Sequence, residues 1–383
     1  MNATLGLSLI CFISFATIAK SMDLPPIAIP GEGALISSHQ IFDLANKPTK
    51  ECHAATIVET STGLVAAWFA GTRERDPDVG ILVSRLENGE WTDPVEVVNG
   101  VQSSNLRYPC WNPVLFQPRK GPLMLFFKVG PHPREWWGML TTSDDGGKTW
   151  SWPTKLGHAY TIGHLLGPVK NKPIQLEDGT ILCPSSTEIE HEDGSMLWRV
   201  HFELTRDLGK SWEVIGPIQT GDQFHAIQPS ILTYPEGRMQ ILCRSREKSI
   251  VQSWSHDHGK TWSPLTKTDL PNPNSGTDAV TLLDGRQAVI YNHSEGPVRQ
   301  EDGHVLKPRR ILNLAVSDDG ETWKPVLTFE HETGPLPEDP DRRRHFGEYS
   351  YPAIIQTKDG LLNIVYTYNR EGVKHVVVDP KKL

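Results

Sequence analysis

The chain has 383 residues and a formal net charge of −8, with 32 Gly, 30 Pro and 12 Trp. That is enough chain for a sizeable core, and the turn-rich make-up without a long amphipathic stretch favours an all-β fold over a helical one. Mild acidity argues against nucleic acid as a partner.

An apolar run at residues 3–19 ends in Ala19-Lys20-Ser21. Small residues at 19 and 21 suit cleavage before Met22, so residues 1–21 read as a signal peptide. The run is too short for a membrane span. A secreted or periplasmic protein is expected, with 22–383 as one folded domain.

Two periodic elements follow. A Gly leading a hydrophobic run occurs at Gly63, Gly121, Gly179, Gly237, Gly285 and Gly360, as in G-L-V-A-A-W-F after Gly63. Each reads as a tight turn entering a strand. The second element is a box turn: Ser143 to Trp150 (S-D-D-G-G-K-T-W), Thr205 to Trp212, Ser255 to Trp262 and a shortened Ser317 to Trp323. A decayed copy spans Ser84 to Trp91. Asp and Gly tolerate left-handed backbone, Ser and Asp bond local amides, and the Trp brings a large body to bury. The box is therefore structural.

A fixed period of this size marks a repeat architecture. Six units of several short strands describe a six-bladed β-propeller. The sixth unit ends near 378 without a box, so its outer strand is expected from residues 27–42, which leaves no open edge.

A third recurring piece precedes each Gly: His53-Ala54, Asn112-Pro113, Lys172-Pro173, Gln228-Pro229, Asp278-Ala279 and Tyr351-Pro352. These read as the starts of the innermost strands. Seven residues past five of the glycines stand Lys128, Ser186, Arg244, Asn292 and Thr367. Antiparallel order puts both sets on one rim, opposite the boxes, and a ligand is expected there. In the first unit the matching loop holds Arg73, Glu74, Asp76 and Asp78. Convergence of Arg73, Lys128, Lys172, Arg244, Arg246 and Arg310 would suit an anionic ligand, because guanidinium forks grip carboxylates and sulfates. Trp111, Trp136 and Trp137 fall on the same edge, where aromatic platforms would suit sugar rings.

Four cysteines follow the leader: Cys52, Cys110, Cys183 and Cys243. None has metal-pair spacing. Cys183 and Cys243 sit in I-L-C runs and read as buried thiols. Cys52 and Cys110 precede neighbouring inner strands, which leaves a bridge between blades open. His53, His164, His225 and His345 lack ligand spacing, so neither a metal nor another cofactor is expected.

The box turns, the six Gly-led strands and the segment Asn272-Pro273-Asn274-Ser275-Gly276 together resemble the sialidase (neuraminidase) superfamily, in its BNR-repeat, sialidase-like branch, over about residues 45–380. The resemblance implies a carboxylate-binding Arg triad, an acid/base Asp and a Tyr nucleophile paired with Glu. Here His53 stands in place of the first Arg. Ala70-Gly71-Thr72-Arg73 followed by Asp76 or Asp78 matches the acid/base element. Gln228 falls where the Glu would be, and Arg244 or Arg246 with Arg310 can stand for the other arginines. Tyr349-Ser350 matches the nucleophile strand, and Tyr351 competes for the role.

The expectation is an exo-acting glycoside hydrolase on a terminal acidic sugar of sialic or uronic type. His53 and Asp76 are the proton-transfer candidates, with Tyr349 or Tyr351 as nucleophile or oxocarbenium stabiliser. Arg73, Asn112, Lys128, Lys172, Gln228, Arg244, Arg246, Asn292 and Arg310 are the binding candidates. Two alternatives stand beside it: a lyase or dehydratase acting by elimination on uronate-containing oligosaccharides, and a non-catalytic glycan-binding propeller.

Overall fold

The computed structural model describes residues 23–190, 193–218, 224–299 and 305–383. The expected leader lies outside them. Six antiparallel sheets form the blades of a propeller, and in the first five blades the innermost strand comes first in sequence. The innermost strands are Glu51–Thr60, Cys110–Phe116, Ile174–Gln175, Ala226–Thr233, Asp278–Thr281 and Tyr349–Gln356. The second strands Leu123–Val129 and Gln287–Asn292 are buried along their whole length. Their continuous apolar runs follow from that, because both faces of a blade are covered by its neighbours.

The core is accordingly divided among the blade interfaces. Apolar clusters alternate with the blades around the ring, for example Val65, Phe69, Leu115 and Phe127 between the first and second blades. The fifth and sixth blades meet through Ile290, Leu314, Ile354 and Tyr366.

Each box turn holds itself together and then reaches back one blade. In the second blade Ser143 Oγ donates to Asp145 Oδ1 and accepts from Gly147 N. Asp145 Oδ1 accepts from the amides of Lys148 and Thr149, and its other oxygen accepts the Thr149 hydroxyl. Trp212 then meets Phe126 of the preceding blade edge-on, and Trp262 stacks on Phe202 with centroids 4.6 Å apart. The decayed first copy does the same across the ring's seam, where Trp91 Nε1 lies 3.3 Å from His375 Nδ1 in the sixth blade.

The ring closes as the sequence suggests. Leu35–Gln40 pairs antiparallel with Gly372–Val378 as the outer strand of the sixth blade, with His39 opposite His375. The strand lies inside the expected 27–42. The disulfide left open by the sequence does not form: all four described cysteines are free and buried. Cys52 packs between the sixth and first blades and Cys110 between the first and second, so the two thiols belong to different cores. Burial raises the Cys52 thiol to about 12. Among the described residues no helix is long and apolar enough to cross a membrane.

Candidate active site

Four of the six innermost strands carry a β-bulge at the same place. Ala54, Asn112, Gln228 and Tyr351 have φ of 57°, 38°, 57° and 52°. In each case two residues of the inner strand oppose one of its partner, as Tyr351 and Pro352 do between the Ser350–Thr367 and Ala353–Val365 pairs. Left-handed backbone at non-glycine residues is costly and collects at functional sites. Bulge amides are held by side chains of the preceding blade: Ala54 N donates to Thr367 Oγ1 and Gln228 N to Ser186 Oγ. The bulge also corrects a register. Ala54, and not His53, is the first blade's equivalent of Asn112, Gln228 and Tyr351.

Tyr351 is the centre of the arrangement. Its hydroxyl accepts from Arg244 Nη1 at 2.7 Å, and Gln228 Nε2 lies at 3.2 Å. The His53 ring packs on the Tyr351 ring with centroids 4.2 Å apart. Arg309 and Lys170 lie 5.6 and 6.0 Å from that ring's centre. Arg244 Nε donates to Asn274 Oδ1 at 2.7 Å, which gives the Asn272–Gly276 segment its use. Lys170 donates to the carbonyls of Thr277 and Pro352.

Carboxylates near the axis are already engaged. Glu348 accepts from Arg309 at 3.2 Å and Arg370 at 3.0 Å, and His345 Nδ1 lies 3.2 Å away. Burial alone would raise Glu348, but the His345 bond and the charges of Arg370 and Arg309 prevail and hold it well below the usual range. Asp278 is paired with Lys172 at 2.9 Å and accepts from Ser230 and the Ile354 amide. Among the described residues neither Arg244 nor Lys170 forms an ion pair. Burial pushes the Lys170 ammonium down to about 7, although the Asp278 charge works the other way. Burial, then the Arg370 charge, holds His53 well below the ordinary histidine value, so its ring is neutral.

The expected residues divide into three groups. His53, Tyr351, Gln228 and Arg244 come together at the axis, and Arg246 stands just outside, 4.1 Å from the Trp198 ring. Asn112, Lys128, Lys172 and Asn292 are near the axis but are bound into the scaffold. Lys128 is fully buried and donates to the carbonyls of Asn112 and Pro168. Asn292 Nδ2 donates to the carbonyls of Arg309, Ile311 and Tyr349, bracing two blades. These two therefore differ from the open binding positions expected of them.

Tyr349, Arg310, Arg73 and Asp76 lie apart from the cluster. Tyr349 is buried between the fifth and sixth blades, where its hydroxyl meets Glu332 and its ring packs against Tyr368. Arg310 donates to the Glu332 carbonyl, and its neighbour Arg309 faces the axis in its stead. Arg73 and Asp76 pair with each other at 3.3 Å on a rim loop where Arg73 is exposed. Of the aromatic candidates, Trp111 and Trp136 are buried and Trp137 is partly covered.

Lys170, Asn274, Arg309, Glu348 and Arg370 were not among the expected site residues. Arg309 adjoins Arg310, Lys170 is two residues from Lys172 and Glu348 adjoins Tyr349, so the right stretches were marked and the facing residue was not. Among the described residues no group of three or more His, Cys, Asp or Glu side chains could hold a metal ion.

The BNR repeat-like domain family matches residues 62–364. No curated protein sequence matches the chain. Among solved structures, a protein of unknown function from Dyadobacter fermentans superposes with a TM-score of 0.68 at 16% identity, covering 92% of this chain and 100% of its own. The Hadza microbial sialidase Hz136 gives 0.69 at 15% identity over 90% of this chain and 69% of its own. An intramolecular trans-sialidase from Ruminococcus gnavus, in complex with oseltamivir carboxylate, gives 0.62 at 13% identity over 92% and 99%. At these identities the likeness establishes the sialidase-like propeller fold.

Proposed function

The chain belongs to the BNR repeat-like domain family, and on that footing we propose that it is a glycoside hydrolase that removes a terminal acidic sugar from an oligosaccharide. One observation carries the reading. Arg244 and Lys170 stand beside Tyr351 with no carboxylate partner among the described residues, at the axis of a chain whose net charge is −8. A half-buried guanidinium and a buried amine without counter-ions favour an anion that completes the site. A sugar carboxylate would do so, with Arg309 next to it.

In this reading the carboxylate sits between Arg244 and Lys170 and brings the anomeric carbon over Tyr351 Oη. The phenol oxygen faces the positive charge that builds on the sugar ring as the glycosidic bond lengthens. Arg244, donating to that oxygen, supports any negative charge it gathers. Neutral His53 packs under the phenol ring and holds it in place. Likeness of fold to proteins named sialidases supports this chemistry without specifying the sugar.

One observation favours a second reading. The described partners of Tyr351 Oη are Arg244 and Gln228, and neither can accept its proton. A tyrosine oxygen beside a cation suits abstraction of the proton α to a uronate carboxylate, hence elimination. Arg244→Ala tests the common premise. We expect kcat/KM on acidic oligosaccharides to fall by about 10²-fold, the usual cost of leaving a buried charge unpaired. Unchanged turnover would contradict both readings. The export expected of the chain is proposed with them: N-terminal sequencing of the exported protein should begin at Met22, and a full-length cytoplasmic form would contradict it.

A further inference from the structure

The strand Ile181–Glu190 and its partner Met196–Thr205 form a long hairpin in the third blade that reaches past the site rim. Ser186, on the first of these, accepts the bulge amide of Gln228, and Gln228 in turn reaches Tyr351. Side chains alternate along a strand, so Glu188 shares the face of Ser186 and stands about 7 Å further out. Glu188 is directly opposite Trp198 in the ladder. The Trp198 ring lies under Arg246 at 4.1 Å and Arg244 at 5.4 Å, and Arg244 is the residue that binds Tyr351. Glu188 thus stands beside the two arginines that border the cluster.

Its surroundings are those of a carboxylic acid and not of an ion-paired carboxylate. Glu188 is half-buried, and among the described residues it has no salt-bridge partner. The charged groups facing it are Arg244 and Arg246 from the fourth blade and Arg134 from the second, and Arg134 is paired with Glu190. The Trp198 indole N–H approaches its carboxyl without closing a full hydrogen bond. Burial outweighs the three arginines and raises the Glu188 carboxyl above the usual range. A carboxyl raised by burial beside ionised groups suits a general acid. Asp76, by contrast, is engaged by Arg73 on an exposed loop.

We propose that Glu188 is the proton donor to the leaving group, an inference that rests on the hydrolytic reading of the Tyr351 site. The glycosidic C–O bond breaks with its electron pair on the leaving oxygen, and that oxygen takes the Glu188 proton. Water then captures the anomeric carbon, and the proton it sheds returns to the Glu188 carboxylate. The net reaction adds one water across the bond.

The test compares Glu188→Gln with the unaltered protein on two substrates of one acidic sugar, N-acetylneuraminic acid or glucuronic acid. One carries a 4-nitrophenyl leaving group, which departs without protonation, and the other a sugar leaving group. Glu188→Gln should lose about 10²–10⁴-fold in kcat/KM on the oligosaccharide and less than about tenfold on the aryl glycoside. E188D, which keeps the carboxyl, should recover a substantial part of the loss on the oligosaccharide. Equal losses on both substrates, or an E188D no more active on the oligosaccharide than E188Q, would overturn the assignment and leave the hydrolytic reading standing. If the unaltered protein hydrolyses neither substrate, that reading falls and the assignment with it.

Discussion

Tyr349 and Tyr351 are two residues apart on one strand and end in different environments. Plain alternation would set them on one face. The left-handed bulge at Tyr351 breaks that rule, so Tyr349 enters the core between two blades while Tyr351 turns to the axis. The same limit applies to Arg309 and Arg310: the sequence marks a basic strand start, and only the register decides which guanidinium faces in. Residue types at the site were thus legible, because polar residues at strand starts are unusual, but facing was not. Lys170 offers a direct check. Its ammonium sits at about 7 because of burial, so an arriving carboxylate should raise it. Binding of the acidic sugar near pH 7.5 should then take up a fraction of a proton, read by titration calorimetry in buffers of different ionisation heat, and Lys170→Met should abolish the uptake. Glu348→Ala should be costly for another reason. It strands Arg309 and leaves Arg370 with Glu74 alone, and breaking a buried ion pair on one side costs about 3–5 kcal/mol. Thermal unfolding should show a clear drop in Tm, and an unchanged Tm would remove Glu348 from the scaffold's support.

The box turn is the element that was most legible in sequence, because its hydrogen bonds are local. Ser, Asp, Gly and Trp at fixed offsets each make a contact inside the turn, and the pattern needs no tertiary context. The bulge element is the converse: Pro after a polar residue marks the place, yet the left-handed turn arises from how the neighbouring blade holds the bulge amide. The boxes should respond to acid. Hydrogen bonds led by that of Ser211 hold Asp207 at about 2. A folded-state value below the unfolded one contributes stability above about pH 4, lost as pH falls through about 2. Tm measured from pH 5 to pH 2 should fall less steeply in Asp207→Asn than in the unaltered protein. Parallel curves would mean that the turn is held by its backbone alone. At neutral pH, Asp257→Ala removes four described bonds to one side chain at the surface and should lower Tm by about 1–3 °C.

At the scale of the whole molecule the fold could be counted from sequence, since six glycine-led runs and five boxes set the blade number and the missing sixth box required a strand from elsewhere. Leu35–Gln40 supplies it. Deleting residues 23–41 should leave Gly372–Val378 as an open edge and cause association or loss of cooperative unfolding, visible by light scattering. The charge distribution was less legible, because an acidic chain conceals a cationic axis: its carboxylates are spent on Arg309, Arg370 and Lys172, and Arg244 and Lys170 are left over. The central claim is that this surplus holds an acidic sugar over Tyr351 while water replaces its glycosidic partner. Mass detection of products from sialyl- and glucuronosyl-oligosaccharides tests it most directly. The account predicts a free acidic sugar and a shortened oligosaccharide that together weigh the substrate plus one water, with the rate reduced by about 10²–10⁴-fold in Tyr351→Phe. Products summing to the substrate mass, with an unsaturated uronate among them, or full activity in Tyr351→Phe, would contradict it.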